Sequence, residues 1–386
     1  YSGAKNNLET EITDWDFNRV QKTAYKLWDE ELSKINVKGG SKNEKIIFYT
    51  SLYHTSISPN IFSDVDGRYR GMDRKIHNSD KQHIYTVFSL WDTFRAYNPL
   101  KTILDPNKTN EFINTLLSKY DQGGALPMWE LQGNETGCMI GYHAVPVIVD
   151  AYKKGIRGFD INKAYKAILS APTYDITNIS FPSKAVKENL MPMGKFYNET
   201  MDFIPADLEN ESVSKALEYA YNDWCIAQIA KKLNKPAVYN EFLKRSKNWK
   251  NNYNTTTGFM QPKMANGTFK KEFDSMSTEG QGFIEGNSWN YSFFVPHNPT
   301  ELIAKMGGTT AFSSRLDTLF SMHLPDSFFA ETEDITREGI IGGYVHGNEP
   351  AHHVAYFYNW TSQPWKTQYQ VRKIMKKQYK PTTDGL

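Results

Sequence analysis

Apolar residues recur at steps of three and four along most of this 386-residue chain. The spacing is clear in DFNRVQKTAYKLWDEELSKI, residues 16–35, and again in SVSKALEYAYNDWCIAQIAKKL, residues 212–233. This period places apolar side chains on one face of an α-helix, whereas the alternation of a half-buried strand is scarce. A strand and a short buried helix are both compatible with KIIFYTSLYH, residues 45–54. The sequence therefore predicts a mainly helical fold.

Charge and composition exclude several classes of partner. Lys and Arg number 45 against 43 Asp and Glu, and no basic run of the kind that binds nucleic acid or anionic lipid is present. No apolar stretch approaches the ~20 residues that cross a bilayer. The two cysteines, Cys138 and Cys225, lie in no metal-binding spacing. We expect both to be buried thiols.

The segments between the predicted helices are rich in Trp, Asn, Glu, Asp and His. They include SPNIFSDVDGRYRGMD, LPMWELQGNETGCM, IPADLENESVS, FIEGNSWNYSFFVPHN and GYVHGNEPAHH. Polar residues in loops that rigid helices hold are where binding and catalysis concentrate. Helices paired up and down around a ring would gather alternate loops at one end, which predicts an α/α toroid with a single pocket. A helical solenoid is the alternative, but no fixed repeat period is visible.

Glu285 is the leading candidate for a proton donor. It precedes Gly286 and Asn287 and stands four residues before Trp289. A carboxyl group beside an indole is partly desolvated, which raises its pKa as a general acid requires. A surface carboxylate that caps a turn remains the alternative.

Two further segments pair tryptophan with acidic residues. Trp91 and Asp92 share an otherwise apolar helix, where Asp92 needs a partner, either Arg95 or a ligand hydroxyl. Glu130 and His143 flank the start of a later helix with a tryptophan alongside. That combination suits a sugar subsite, although Glu135 in the same segment could equally supply a capping interaction for the helix that follows.

The stretch HGNEPAHH, which begins at His346, has unusual chemistry for a helix entrance. Pro350 suits the first helical position, which makes Glu349 the cap, yet glutamate is not a favoured N-cap. Its carboxylate is therefore expected to serve a cation, a sugar hydroxyl or a core histidine. Asn348 and Glu349 offer hard oxygen ligands that suit Ca²⁺ rather than zinc.

Long blocks of the sequence resemble a known family. They are FYTSLYHTSISPNIFSDVDGRYRGMD, WELQGNETGCMIGYHAVPVIVDAYKKGIRGFD, ADLENESVSKALEYAYNDWCIAQIAKKL, EGNSWNYSFFVPH and HGNEPAHHVAYFYNWTSQPWKTQ. In this order they resemble the calcium-dependent exo-α-mannosidases of glycoside hydrolase family 92. The resemblance covers nearly the whole chain.

The resemblance implies an N-terminal β-sandwich followed by an (α/α)6 toroid that hydrolyses terminal α-mannosides of glycans with inversion. Glu285 would be the general acid, and Asn348 and Glu349 would lie at a Ca²⁺ ion and the terminal mannose. The −1 subsite, which holds that mannose, would be lined by Trp91, Asp92 and His346. Glu130 and His143 are retained as substrate-binding candidates. The implied location is secreted, periplasmic or cell-surface, in a bacterium.

Two departures from the family pattern shape the expectation for this segment. Residues 1–14 resemble only the connection that follows the sandwich, and residues 15–386 would be the toroid. The block that carries the general base in the family is not reached. An inverting reaction needs two carboxyl groups roughly 6.5–9.5 Å apart, so this segment alone is not expected to turn over. Another toroid glycosidase, a lyase and a non-catalytic glycan-binding toroid remain alternatives.

Overall fold

A computed structural model of the chain describes residues 1–80, 82–180, 183–326, 328 and 337–383. Its architecture is mainly helical, as the sequence predicts. The α-helices are α1 Ser2–Glu11, α2 Phe17–Leu32, α3 Lys42–His54, α4 Leu90–Thr93, α5 Tyr97–Leu104, α6 Pro106–Gly123, α7 Ala144–Lys153, α8 Ile161–Ser170, α9 Lys184–Leu190, α10 Gly194–Thr200, α11 Ser212–Lys232, α12 Pro236–Arg245, α13 Ser288–Tyr291, α14 Pro299–Lys305, α15 Gly308–Ser321 and α16 Trp365–Gln378. In the described part of the chain, 3₁₀ helices cover Asn248–Asn252, Glu349–Ala351 and Val354–Trp360. Among the described residues, no helix is both long enough and apolar enough to cross a bilayer.

The strands are two or three residues long and pair antiparallel. They are β1 Asn60–Ile61, β2 Arg68–Arg70, β3 Ile76–Asn78, β4 Tyr85–Thr86, β5 Phe88–Ser89, β6 Trp129–Leu131, β7 Asn134–Glu135, β8 Tyr253–Asn254, β9 Phe259–Met260, β10 Ile340–Ile341 and β11 Tyr344–Val345. β1 pairs with β4, β2 with β3, β8 with β9 and β10 with β11, while β5, β6 and β7 form a three-stranded sheet. These ribbons lie in the polar segments between helices.

Local signals explain where several helices begin and end. The ambiguous run at 45–54 is helical, because Ser41 and Glu44 form a reciprocal capping box at the start of α3. The Asp105 side chain caps α6, and Pro106 takes its first position. Gly124 ends α6 at φ 84°, where a Cβ would overlap the carbonyl oxygen of Asn178. Such residues fix the length of each helix and the direction of the loop that follows.

Helix α11 lies at the centre of the fold. It packs against α7, α8, α10 and α12, and most of its residues are buried on every side. A helix that is buried all round belongs to the interior of a large domain. The main apolar core runs continuously from Tyr85 to Ile374 and includes α11 residues such as Leu217 and Ile226. This core holds the polar loops in fixed positions.

The helix entrance near Pro350 differs from the sequence prediction by one position. Asn348 occupies the N-cap, Glu349 begins the 3₁₀ turn, and the Asn348 side chain makes no capping bond. The prediction that Glu349 is the cap is therefore wrong. The reason is that the chain forms a tight 3₁₀ turn here instead of an α-helix.

Candidate active site

Three segments bring carboxyl groups together at one place. Asp92 lies on α4, directly after β5, Glu285 precedes α13, and Glu349 follows the β10–β11 hairpin. The Asp92 carboxyl group hydrogen-bonds to that of Glu349, and the charge of Glu285 also acts on it. The Asn348 amide donates to the backbone carbonyl of Glu285, which ties two of the segments together. The structure thus joins four residues that the sequence singled out.

Asp92 is strongly perturbed by this environment. Burial is the largest cause that raises its pKa to about 7, the negative charges of Glu349 and Glu285 contribute to the same rise, and the charge of Arg95 opposes it. Like charges held close together cannot all ionise without a compensating cation. Asp92 therefore holds a proton more readily than an ordinary carboxyl group, and a positively charged ligand would relieve the same repulsion.

Glu285 combines an exposed side chain with an uncommon backbone conformation. Its φ is 45°, in the left-handed region that residues with a Cβ rarely adopt. Such strain persists only where the surrounding structure enforces it, and it clusters at functional sites. The bond from Asn348 and the short helix that follows at Ser288 enforce it here.

Cys138 lies close to the same carboxyl groups. Burial raises the pKa of its thiol, and the charges of Glu285 and Asp92 raise it further. The residue is nevertheless exposed, so the prediction that both cysteines are buried is wrong for Cys138 and confirmed for Cys225. Cys138 sits in the irregular stretch between β7 and α7.

Trp91 and His143 lie in the protein core, on the buried side of the carboxyl cluster. The Trp91 ring is 1% exposed, and its Nε1 donates to Oε1 of Glu218 at 3.1 Å. His143 is fully buried, with Nε2 2.6 Å from the other Glu218 oxygen and its ring stacked on Phe94. Asn222 donates to Nδ1 of His143, so Nε2 carries the hydrogen. The polar groups of Trp91 and His143 are occupied by these buried contacts. The two residues therefore hold Asp92 in position and do not themselves contact the carboxyl groups of the cluster.

Arg95 completes this support. Its Nε donates to the Trp91 carbonyl at 3.0 Å, and Nη2 lies 3.7 Å from Oε1 of Glu218. The guanidinium also lies over the rings of Trp91, Phe94 and Phe294. Of the two partners considered for Asp92, Arg95 makes its own contacts with Trp91 and Glu218 and affects Asp92 through charge alone.

Glu218 is the residue that sequence reasoning missed. It accepts from Trp91, pairs with His143 and lies 3.3 Å from the hydroxyl of Tyr291. The signal was present, because a single glutamate in the apolar run SVSKALEYAY must find partners once the helix is buried. What the sequence lacked was any indication of which distant residues those partners are.

Glu130 occupies a different environment. It is fully buried, with Lys119 Nζ at 2.7 Å, Thr86 Oγ1 at 3.0 Å and the Gly133 amide at 2.6 Å. These contacts tie β6 to α6 and to the β6–β7 turn. The structure does not bring Glu130 to the carboxyl cluster, and its burial gives no support to a substrate-binding role. No local sequence pattern indicates that Lys119 is its partner.

His346 lines a cavity of about 1220 Å³ together with Glu349 and Arg95. Its two ring nitrogens lie 2.9 Å from the hydroxyls of Tyr344 and Tyr379. Burial, with a smaller effect of His352, lowers the pKa of His346 to about 4. With both nitrogens hydrogen-bonded to tyrosine hydroxyls, His346 presents an uncharged ring to the cavity, against which the C–H face of a sugar can pack.

The oxygen atoms near Glu349 fit a hard cation. Within the described part of the chain, Oδ1 of Asn348 is buried without a hydrogen-bond partner. The negative charge of Glu349 contributes to the raised pKa of the buried Asp92 carboxyl group, and a bound cation would offset that repulsion. Oxygen donors of this kind are those that Ca²⁺ prefers. The described residues contain no group of three or more His, Cys, Asp or Glu side chains arranged around a metal, so water or ligand oxygens would complete the shell.

Comparison with known proteins gives consistent matches along the chain. Residues 3–386 match the model of the glycosyl hydrolase family 92 catalytic domain. A family GH92 α-mannosidase from Bacteroides thetaiotaomicron shares 38% identity at a TM-score of 0.88, over 100% of this chain and 49% of that one. That enzyme has also been solved with mannoimidazole.

Two further relatives extend this picture. An inverting mannosidase of the same family and species shares 31% identity at a TM-score of 0.88, over 100% of this chain and 52% of that one. A curated relative from Arthroderma benhamiae, described as an uncharacterized secreted glycosidase, is 24% identical over 98% of this chain and 46% of its own length. This chain therefore spans about half the length of these relatives.

Proposed function

The chain belongs to glycosyl hydrolase family 92, and on this premise we propose that the complete protein hydrolyses terminal α-linked mannose from glycans. The cluster of Asp92, Glu285 and Glu349 carries the proposal, because it sets a candidate general acid, which glycoside hydrolysis requires, beside carboxyl groups that can bind a sugar or a cation. In this proposal the described helices belong to an (α/α)6 toroid. The α-mannosidase relatives from Bacteroides thetaiotaomicron support the choice of sugar.

Glu285 is the proposed general acid. Its side chain is exposed on the cluster while the Asn348 contact fixes its backbone. A donor fixed in this way can protonate the glycosidic oxygen as the bond to the leaving sugar breaks, which typically contributes about 10²–10⁴-fold to the rate. The general base is not assigned to a described residue, and we propose that another part of the complete protein supplies it for inversion.

Asn348 and Glu349 are the proposed ligands of a Ca²⁺ ion, with Asp92 next to them. When bound, the ion would supply positive charge that orients the mannose hydroxyls. The unsatisfied Oδ1 of Asn348 and the crowded carboxyl groups support this assignment. His346 would contact the same sugar, while Trp91 and His143 keep Asp92 in place through Glu218.

We further propose that the complete protein is secreted, periplasmic or exposed at a cell surface. The description of the fungal relative as a secreted glycosidase supports a location outside the cytoplasm. The proposed bacterial source rests on the two relatives from Bacteroides thetaiotaomicron.

The test is a panel of aryl glycosides given to the complete protein with and without a calcium chelator. We expect release from the α-mannoside alone, inversion at the anomeric carbon by NMR, and loss of activity on chelation that added Ca²⁺ reverses. Release from an α-glucoside, or formation of an unsaturated product, would assign a different glycosidase or a lyase. Mannose binding without release from any glycoside would identify a glycan-binding protein.

A further inference from the structure

Two segments of the candidate site are joined by side-chain amides that act in opposite directions. The Asn348 amide, which follows the β10–β11 hairpin, donates a hydrogen bond to the backbone carbonyl of Glu285. The Asn290 amide on α13 donates in the other direction, to the carbonyl of Gly343 in the turn of that hairpin, at 3.0 Å. The segment that carries Glu285 and the segment that carries Glu349 therefore hold each other in place.

Asn290 is enclosed by the protein. It is 7% exposed, and its backbone N–H donates to Oδ1 of Asn287 at 3.2 Å. The backbone of Gly286, directly after Glu285, approaches so closely that a Cβ there would lie 3.7 Å from Oδ1 of Asn290 and 3.2 Å from the Tyr291 ring. A change in the position of α13 would therefore move Gly286 and the backbone of Glu285 with it.

The hairpin turn provides a fixed anchor for the Asn290 amide. The Gly343 N–H donates to the Leu319 carbonyl at 2.7 Å, near the end of α15. Gly342 has a φ of 64°, and a Cβ there would overlap the same carbonyl oxygen, so the turn depends on glycine for its approach to α15. A core helix thus sets the position of the turn, and Asn290 transmits that position to α13.

Asn348 links this arrangement to the proposed calcium site. Its Nδ2 donates to Glu285, while its Oδ1 is buried and has no hydrogen-bond partner among the described residues. A cation held by Oδ1 would fix the orientation of the amide group, and with it the donor on the Glu285 side. This step rests on the proposed function, in which Asn348 binds Ca²⁺ and Glu285 donates the proton.

We propose that Asn290 is a positioning residue of the reaction, whose bond to Gly343 couples Ca²⁺ binding to the placement of Glu285. Coupling between two sites is reciprocal in free energy, so release of α13 from the hairpin weakens Ca²⁺ binding and misplaces the acid together. A misplacement of about 1 Å can lower a catalytic rate by about 10²-fold. The loss falls on substrates whose leaving group requires protonation.

Asn290→Leu in the complete protein tests the coupling, because leucine is similar in size but cannot donate to Gly343. We expect at least about a tenfold loss of kcat/KM on mannobiose and less than about a twofold loss on 2,4-dinitrophenyl α-mannoside, whose leaving group needs little protonation. The dissociation constant for Ca²⁺, measured by isothermal titration calorimetry, should rise about threefold or more. Asn290→Ser, whose hydroxyl is too short to reach Gly343, repeats the test without adding an apolar group and should act in the same direction.

Asn248→Leu is the matched control. Asn248 is 5% exposed, and its amide donates to the Asn198 carbonyl at 3.3 Å, which joins the 3₁₀ helix Asn248–Asn252 to α10. The substitution removes the same kind of buried hydrogen bond and should lower the melting temperature by a comparable amount. The ratio of the kcat/KM values for the two substrates and the Ca²⁺ affinity should both stay unchanged.

Hydrogen exchange of the wild-type protein, followed by mass spectrometry, tests the same coupling without a substitution. Addition of Ca²⁺ should slow amide exchange across residues 285–291 as well as across residues 343–349. The first range contains no proposed Ca²⁺ ligand, so its protection reports the coupling alone.

The outcomes separate this inference from the proposed function. Equal losses on both substrates, an unchanged Ca²⁺ affinity, or protection confined to residues 343–349 would overturn the coupling while leaving the mannosidase assignment intact. Absence of Ca²⁺ binding by the wild-type protein would overturn the coupling together with the calcium assignment. If the wild-type protein released nothing from 2,4-dinitrophenyl α-mannoside, the proposed function itself would fail.

Discussion

At the scale of single residues, the candidate site contains arrangements that do not stabilise the folded protein. Asp92 is held beside Glu349 and Glu285 at a cost that burial increases, as its raised pKa shows. Glu285 adopts an unfavourable φ. Neither arrangement favours the folded state, so each points to a requirement of function.

The first prediction concerns the role of Glu285. In the complete protein, Glu285→Gln should slow hydrolysis of mannobiose by about 10²–10⁴-fold and that of 2,4-dinitrophenyl α-mannoside far less, because an activated leaving group needs little protonation. Steady-state kinetics on both substrates provide the measurement. Glu279→Gln, an exposed residue of the same loop, is the control. Equal losses on both substrates would assign the acid role to another residue.

The second prediction concerns Glu349 and calcium. Glu349→Gln should weaken calcium affinity and activity together, with partial rescue by added Ca²⁺, because Asn348 still provides an oxygen ligand. The melting temperature without metal should stay within about 2 °C or rise, since one member of a repelling carboxyl pair loses its charge. A calcium titration followed by turnover and by melting temperature checks both parts. A large drop in metal-free stability with unchanged calcium dependence would show a purely structural role.

At the scale of elements, α11 connects the site to the core. Its Glu218 joins Trp91 of α4, His143 at the entrance of α7 and Tyr291 of α13. Three separate segments are therefore aligned by one side chain. The position of Asp92, one residue beyond Trp91, follows from this arrangement.

The third prediction tests this connection. Glu218→Gln should lower the free energy of unfolding by about 3–5 kcal/mol, because it removes one partner of a buried ionic network and leaves polar groups unsatisfied. Urea titration monitored by tryptophan fluorescence gives the value. Glu241→Gln on the exposed face of α12 should change stability by less than about 0.5 kcal/mol. A loss no greater than that of the control would show that Glu218 is not needed to align these segments.

Elements were predictable from the sequence where the signals are local. The helical period and the Ser41, Asp105 and Pro106 signals set helix type and start without reference to the rest of the chain. The pairing of Glu130 with Lys119 and the burial of His143 against Glu218 depend on which distant helices meet. The periodicity of a single helix does not specify its neighbours. The grouping of Asp92, Glu285 and Glu349 was expected through the resemblance to a family.

At the scale of the whole molecule, the buried amine of Lys195 makes the free energy of unfolding depend on pH. Lys195 on α10 is 3% exposed, and its Nζ lies 3.3 Å from the sulfur of Met191. Burial lowers its pKa from 10.5 to about 7. Between these values the unfolded chain binds a proton that the folded chain does not, so stability rises with pH across this window.

The fourth prediction follows from that window. Relative to Lys195→Met, the wild-type protein should gain up to about 1.4 kcal/mol of unfolding free energy per pH unit above pH 7. Unfolding in urea at pH 7, 8 and 9 measures the difference. Lys166→Met, at an exposed position of α8, should show no such trend. A wild-type curve parallel to that of Lys195→Met would mean that the buried amine finds a partner that keeps it charged.

The exposure of Cys138 makes the molecule suitable for optical measurement of ligand binding. The other cysteine, Cys225, is 3% exposed, so an environment-sensitive maleimide dye should attach at Cys138 alone. The dye would then sit beside Glu285 and Asp92. Addition of a mannoside to labelled, inactive Glu285→Gln protein should shift its emission, which reports occupancy without turnover. Absence of a shift at saturating ligand would show that the thiol does not face the bound sugar, and labelling of Cys138→Ser would show that the dye also reaches Cys225.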